Sequence, residues 1–404
     1  MLRWIIFITI IFIVDFYAFQ SVRTLMKNKI VVWLYWIVSI AIATNFIYQL
    51  SHFDRSTGIS QFLMFSFALL VLSIVPKITT SFFMLSEDIF RTFKGITNYS
   101  SESTTHFPER RVFVSKLALG IAAIPFASIL YGVIKGKYNY KVIHHTLFFD
   151  DLPDAFDGYK ITQISDIHSG SFDNAEKISY GIDLINEQQS DVILFTGDIV
   201  NNVAEEMDEW IPYFKKLEAR DGKYSVLGNH DYGEYVQWET HKEKEANFKA
   251  IKDIHPKIEF NLLLNENVYL EKGEDRIALI GVENWGTKFK KAGDLFQASE
   301  GVIKDDFKIL MSHDPTHWET EVKQHKDKYH LTLSGHTHGM QFGIEIPGFR
   351  WSPVQYVYKH WAGVYEEFGR YINVNRGFGF LAFPGRVGIW PEISVITLKK
   401  KRIA

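Results

Sequence analysis

Four apolar stretches before residue 135 constrain this chain more than any other feature. The first lies between Arg3 and Arg23 and is interrupted only by Asp15. The second runs from Ile30 to about Phe53, the third spans Ser56 to Pro76, and the fourth runs from Leu117 to Ile134. A helix needs about 20 apolar residues to cross the hydrocarbon core of a bilayer, and helices of soluble domains rarely go that far without charge. Residues 1–135 therefore read as an all-α transmembrane segment of about four helices. The first reads as an uncleaved signal anchor, because its apolar stretch is long and no small-residue cleavage site follows it. Asp15 has two readings, a functional carboxylate within a span or a group facing the bundle interior or an interface.

The charge divides in nearly the same place. Residues 1–149 hold 14 Lys+Arg against 6 Asp+Glu, a balance of +8, and the remaining 255 hold 30 against 41, a balance of −11. So acidic a second half is a poor binder of polyanions, and nucleic acid is not an expected partner. The chain has no cysteine, which excludes disulfides, zinc-thiolate sites and thiol catalysis. With four spans, Arg3, Arg55, Lys135, Lys137 and Lys141 fall on one side of the membrane, and the other nine basic residues of this region fall on the opposite side. The richer side is expected to be cytoplasmic, which puts both termini and everything after Lys135 outside. Residues 78–112, with Phe82 and Phe83, are expected to join the third and fourth spans and to hold an interfacial helix.

From about residue 138 the pattern changes to alternating strands and helices. Lys141–Phe149, Tyr159–Ser165, Val192–Phe195, Tyr224–Leu227, 276–282, 307–312 and 329–334 have strand character. Asp173 with Glu176 reads as a capping box ahead of the helical Ile178, Ile182 and Ile185, and helices are also expected over Ala204–Glu218 and about Glu234–Ile254. Lys135–Tyr140 reads as the linker. Stacked α/β layers follow from this order.

Five polar clusters follow these strand-like runs: Asp166-Ile167-His168, Gly197-Asp198, Gly228-Asn229-His230-Asp231, His313-Asp314 and Gly335-His336-Thr337-His338-Gly339. Ligands of layered α/β folds bind at the carboxyl ends of strands. Each cluster offers Asp, Asn or His, and none offers Cys, a donor set for Mn, Fe or Zn. The flanking glycines permit sharp turns and close backbone approach. Any one cluster alone is an ordinary turn or surface pair. All five in order, each after a strand, form a pattern.

That pattern, D-x-H, G-D, G-N-H-D, a lone H and G-H-x-H, resembles the calcineurin-like metallophosphoesterase family over residues ~141–404. With the four spans ahead of it, the whole is similar to transmembrane proteins with a metallophosphoesterase domain and to related bacterial membrane-bound phosphoesterases. The resemblance implies a transmembrane domain over 1–135 and a four-layer α-β-β-α sandwich over 136–404, holding two divalent metal ions (Mn, Fe or Zn). It implies that Asp166, His168 and His338 bind one ion, that Asn229, His313 and His336 bind the other, and that Asp198 bridges both. His230 is implied as the proton donor to the leaving oxygen or a stabiliser of the phosphoryl oxygens, and Asp231 as a residue fixing the turn. Family members often carry an acid three residues after the bridging aspartate. Here Asn201 stands there, and its amide oxygen is expected to accept from the His230 ring without supplying charge.

The implied activity is hydrolysis of a phosphoester or pyrophosphate by hydroxide bridging the two ions, on a phosphorylated small-molecule or lipid-linked substrate. UDP-2,3-diacylglucosamine in lipid A biosynthesis is one such substrate. An extracytoplasmic phosphomonoesterase or phosphodiesterase is a second reading, and a non-catalytic membrane sensor or scaffold that kept the fold is a third. The segment Gly281–Gly286 reads as a polar turn that can line the site. Arg376 reads as a phosphate contact or a buried structural arginine. Trp351, Tyr356, Tyr358 and Trp361 read as core packing, in a composition that also suits a membrane interface.

Overall fold

The computed structural model describes residues 2–97 and 108–401. It divides into two compact units, one of residues 1–53 and 59–134 and one of residues 54–58 and 135–404. The first holds α1 (Leu2–Leu25), α2 (Lys29–Ser51), α3 (Gln61–Thr97) and α4 (Pro108–Ile134), each long and apolar enough to cross a membrane.

The third helix corrects one expectation. It does not stop at Pro76 but continues as a single helix of 37 residues through most of the expected connection. The Thr79 and Thr80 hydroxyls bond back to the carbonyls of Val75 and Pro76, at 3.1 and 2.9 Å, in the turn where proline interrupts the backbone ladder. Beyond it, Arg111 of α4 pairs with Glu87 at 2.6 Å and also with Asp88, which ties the extension to α4. Residues 98–107 of the expected connection lie outside the described residues.

Asp15 faces the interior of the first unit. Its carboxylate lies 2.5 Å from Lys77 Nζ, Lys77 also donates to Ser39 Oγ at 2.7 Å, and the Tyr35 hydroxyl donates to the Asp15 carbonyl at 2.8 Å. A buried charge without its partner is costly, so Lys77→Met is expected to destabilise the helical unit by about 3–5 kcal/mol. Adding Asp15→Asn should restore most of that loss. Denaturant titration of the micelle-bound protein measures both, and an unaffected single variant would show the pair to be energetically idle.

The second unit runs, in chain order, β1 (Lys141–Phe149), β2 (Lys160–Ile164), α5 (Ala175–Asn186), β3 (Val192–Phe195), α6 (Ile211–Phe214), β4 (Lys223–Ser225), α7 (His241–Lys257), β5 (Asn261–Leu262), β6 (Glu266–Lys272), β7 (Asp275–Gly281), α8 (Leu295–Ala298), β8 (Lys308–Met311), α9 (Thr316–Thr320), β9 (Leu331–Ser334), β10 (Ile344–Ile346), β11 (Phe349–Trp351), β12 (Gly363–Glu367), β13 (Arg370–Val374) and β14 (Glu392–Lys400). One six-stranded sheet has the order β1-β14-β2-β3-β4-β5, the other β12-β13-β9-β8-β7-β6, and β10 with β11 forms a separate hairpin. Strands β2, β3, β4 and β7, β8, β9 run parallel and are largely buried, and β3, β7 and β8 accordingly carry short apolar runs without alternation. Leu194, Ile161, Leu279 and Leu333 pack between the sheets. Phe195, Ile182 and Ile254 pack the first sheet against α5 and α7, and Leu310, Trp318 and Ile372 cover the outside of the second. This is the expected four-layer α-β-β-α sandwich.

Local differences have local causes. The N-cap of α5 is Asn174, whose side chain accepts from the Lys177 N–H at 3.0 Å, while Asp173 is taken by Lys137 and by the Tyr138 hydroxyl at 2.7 Å. Those contacts make Gly136–Tyr140 a mostly buried part of the second unit and not a free linker, with Tyr138 and Tyr140 in its core. The expected helix over Ala204–Glu218 shrinks to a 3₁₀ turn at Ala204–Met207 and the four residues of α6, where Pro212 starts a new turn. The charged helix α7 begins later than expected, because Thr240 caps it by accepting from Glu243 N–H at 3.2 Å.

Candidate metal centre

The polar clusters sit at the carboxyl ends of β2, β3, β4, β8 and β9, and the two sheets bring those ends together. Five of the residues leave their strands with positive φ: Asp166 (51°), His168 (49°), Asp198 (62°), His336 (72°) and His338 (49°). Each such backbone costs roughly 1–3 kcal/mol and persists only where its surroundings hold it. The His336 N–H donates to both Asp166 carboxylate oxygens, at 3.1 and 3.0 Å, and Asp231 accepts from the N–H groups of Asp198, Gly228 and Ile199 at 2.8–2.9 Å. Asp231 thus clamps two of the turns to each other. Glycine is required at 197, where φ is +98° and a Cβ would meet the Gly228 backbone.

The side chains gather in two adjoining groups. In the first, His168 Nε2 lies 3.0 Å from His338 Nε2, and His338 Nε2 lies 3.2 Å from an Asp166 oxygen. In the second, His336 Nδ1 lies 2.8 Å from Asn229 Oδ1 and 3.3 Å from His313 Nε2. Asp198 stands between the two, with Oδ2 3.1 Å from His313 Nε2 and 3.6 Å from His168 Nε2. All seven residues expected as ligands are therefore brought together.

The donor atoms suit a cation. Two nitrogens bound to one ion at about 2.1 Å sit roughly 3–3.4 Å apart, the spacing seen here. The His313 Nδ1 sits 2.7 Å from the Thr196 carbonyl and donates to it, so Nε2 is the nitrogen directed at Asp198. Burial disfavours charge on His313, but Asp198 outweighs it and pushes the imidazole up to about 10. Burial likewise opposes ionisation of Asp198, yet His313 and His230 hold its carboxyl well below the usual range. The centre favours negative carboxylates and added positive charge.

Two family descriptions match the chain. Residues 2–137 match "Probable Calcineurin-like phosphoesterase, transmembrane domain", and residues 159–340 match "Calcineurin-like phosphoesterase". An uncharacterised metallophosphoesterase of Bacillus subtilis is 32% identical over 257 residues, covering 63% of this chain and 84% of its own length. The chain belongs to the metallophosphoesterases. A transmembrane protein with metallophosphoesterase domain from Danio rerio is 26% identical over 70% of this chain and 62% of its own length. An uncharacterised metallophosphoesterase of Helicobacter pylori is 24% identical over the whole of both chains. The protein is thus a multi-pass membrane phosphoesterase, a phosphoester hydrolase of a family that uses divalent metals.

Within this phosphoesterase, His230 is held differently from expectation. Its Nδ1 lies 2.7 Å from the backbone carbonyl of Asn201, while the Asn201 side chain bonds to Ser171 Oγ. The ring donates to a main-chain acceptor, which leaves Nε2 as the remaining nitrogen, and the Tyr235 ring packs 4.3 Å away. Asn201→Ala is accordingly expected to keep phosphoesterase activity within a few-fold, whereas a side-chain role would cost far more. Steady-state hydrolysis of an alkyl phosphate, whose leaving oxygen needs a proton, distinguishes the two.

The carbonyl is held in place by Glu206, whose carboxylate accepts from the N–H groups of Asn202 and Val203, at 3.3 and 3.4 Å, and of Asn201. Burial pushes the Glu206 carboxyl up from 4.5 to about 7 despite these donors. The folded state therefore binds this proton more tightly than the unfolded chain. Its contribution to stability is complete below about pH 4.5 and is lost as pH rises through about 7. Glu206→Gln should flatten the decline of Tm across that window relative to the parent, and an unchanged slope would remove Glu206 from the pH response.

Several contacts carried no sequence signal. Tyr358 Oη lies 2.8 Å from His336 Nε2, the Phe289 ring packs 4.8 Å from the His336 ring, and Tyr235 accepts from Asn229 Nδ2 at 2.7 Å. Tyr358 thus reaches the centre while also packing, as expected, against the small cluster in which Trp361 is buried with Val354, Ala362 and Ile389. The turn after β7 is structural at Asn284, which bonds to Lys290 O, and Gly286 packs against Asp314. Arg376 is paired with Glu392 and with Glu345, so it is a buried structural arginine. Arg386 is also fully buried and donates to the Gly377 and Gly379 carbonyls, with Nη2 3.2 Å from His338 Nδ1.

Proposed function

We propose that this phosphoesterase holds two divalent ions, one at Asp166, His168 and His338, the other at Asn229, His313 and His336, with Asp198 shared. The observation that carries the reading is the position of Asp198 between the two imidazole groups. Bound there, the ions would supply charge neutralisation for phosphate oxygens and a water of lowered pKa. The chain's own residues do the rest. Asp198 and Asp166 hold negative charge in a buried place, and the strained turns keep the donors converged without reorganisation during reaction. His230, oriented through Nδ1 by the Asn201 carbonyl, presents Nε2 as the group that protonates the departing oxygen. Tyr358 fixes the ring orientation of His336 from the far nitrogen.

The substrate proposed is a phosphomonoester or phosphodiester outside the cytoplasm. The Lys/Arg distribution supports that side. Pairing Lys77 with Asp15 removes it from the loops, nine less one, and leaves eight basic residues against five. A cytoplasmic catalytic unit would instead favour a nucleotide-linked lipid such as UDP-2,3-diacylglucosamine. A reporter active only outside the cytoplasm, fused at the C-terminal end, separates these readings.

The test of the centre uses the full chain, stripped by chelator and given Mn, Zn, Fe or Mg. Restored release of nitrophenol is expected, and its preference for mono- or bis-nitrophenyl phosphate reports the ester class. A chain that takes up no metal would overturn the proposal. Metal uptake without cleavage of any phosphoester would favour a sensor.

A further inference from the structure

The hairpin β10–β11 is folded with its apolar side outward. The register pairs Ile344 with Trp351, Glu345 with Arg350 and Ile346 with Phe349. Directly paired residues share a face, so Ile344, Ile346, Phe349 and Trp351 lie on one side and Glu345 and Arg350 on the other. The polar side makes the contacts back to the protein, although Glu345 and Arg350 themselves stay exposed. Glu345 pairs with the buried Arg376 at 2.6 Å, and Arg350 donates to the Ala362 carbonyl at 2.6 Å and lies over the Trp361 ring. The apolar side is left open, with Ile346 58% and Phe349 52% exposed. Exposed Met340 and Tyr356 flank it, and Tyr356 accepts from Trp351 Nε1 at 3.4 Å.

A two-stranded sheet is marginal alone, and this one is anchored by part-buried ionic and hydrogen-bonded contacts of its polar side, which leaves the greasy face to solvent. Contiguous exposed apolar surface of this kind marks an interaction site. Between His338 and Arg350 the single charged residue is Glu345, which is already paired, so the tip Pro347-Gly348 and its neighbours can leave water without stranding a charge. The flanking Trp351 and Tyr356 are the residue types that settle at the membrane–water boundary.

We propose that the β10–β11 hairpin inserts its apolar face into the interface of the bilayer that the phosphoesterase's own helices span. A tethered domain meets that surface at high effective concentration, which favours the bilayer over a freely diffusing protein partner. The same stretch of chain carries Tyr358 to His336. The inference rests on the membrane anchoring and not on the metal assignment.

The chain has no cysteine, so single-cysteine labelling needs no prior substitution. Ile346→Cys and Phe349→Cys would each carry an environment-sensitive fluorophore, with Phe296→Cys and Phe368→Cys as exposed controls elsewhere on the unit. The full-length protein is placed in phosphatidylcholine vesicles with or without a doxyl-labelled lipid. The lipid quencher is expected to remove at least half of the emission at 346 and 349 and little at 296 and 368, with aqueous iodide giving the reverse order. Equal iodide quenching at all four positions would overturn the proposal. So would protection from both quenchers together with energy transfer between labelled copies, which assigns the face to a second copy of the chain. Nitrophenyl phosphate hydrolysis by the labelled proteins checks folding and bears separately on the metal centre.

Discussion

Asp198→Asn is expected to lower phosphoester hydrolysis by about 10³-fold or more, the scale of losing a directed electrostatic contact in an enclosed site. The substitution keeps size and hydrogen-bonding shape but removes the charge that faces His313 and His168 at 3.1 and 3.6 Å. It also weakens the acceptor that fixes the His230 N–H at 2.8 Å, which couples loss at the metals to loss at the acid. Metal content per chain, measured after reconstitution, should fall along with activity. A variant with full metal content and near-parental turnover would sink the placement of Asp198 between two ions. The result would stand apart from general unfolding if the Tm of the variant stays close to that of the metal-free parent.

His230→Ala carries the second large effect, and its size should depend on the leaving group. A positioned general acid contributes typically ~10²–10⁴-fold where the departing oxygen needs a proton. An alkyl phosphate has such a leaving group. Nitrophenolate departs without one, so the same variant should lose much less on nitrophenyl phosphate. Equal losses on both substrates would assign His230 to the phosphoryl oxygens instead of the leaving oxygen. No loss on the alkyl ester would remove it from the chemistry. Because the ring is oriented by a main-chain carbonyl, restoring activity requires an imidazole at 230 and not a new acid at 201.

The seven clustered residues were legible because each lies within a few positions of a strand end, where local sequence carries both the apolar run and the polar turn. Asp166 follows β2 and His336 follows β9, and the meeting of the two depends only on the sheets packing face to face. The layers were legible for the same reason, since short buried runs such as Val192–Phe195 are bounded by turns. The boundaries were less so. Asn174 takes the cap of α5 because Asp173 is drawn away by Lys137 and Tyr138, residues more than thirty positions earlier.

By itself, then, the sequence determined the membrane-spanning character of the first unit, the α/β layering of the second and the Asp, Asn and His set that gathers at the strand ends. All three are written in local composition and spacing. Tertiary structure alone decided the contacts that span the chain or use the backbone. Lys77 reaches Asp15 across 62 residues and turns an anomalous carboxylate into half of an ion pair. The acceptor for His230 is a carbonyl, a group every residue carries, so no side-chain pattern could announce it. The hairpin from Ile344 to Trp351 alternates as any half-buried ribbon does, and alternation fixes which side chains share a face without saying which face meets solvent. That choice was made by Arg376 and Ala362, whose contacts with Glu345 and Arg350 tie the polar side to the rest of the unit.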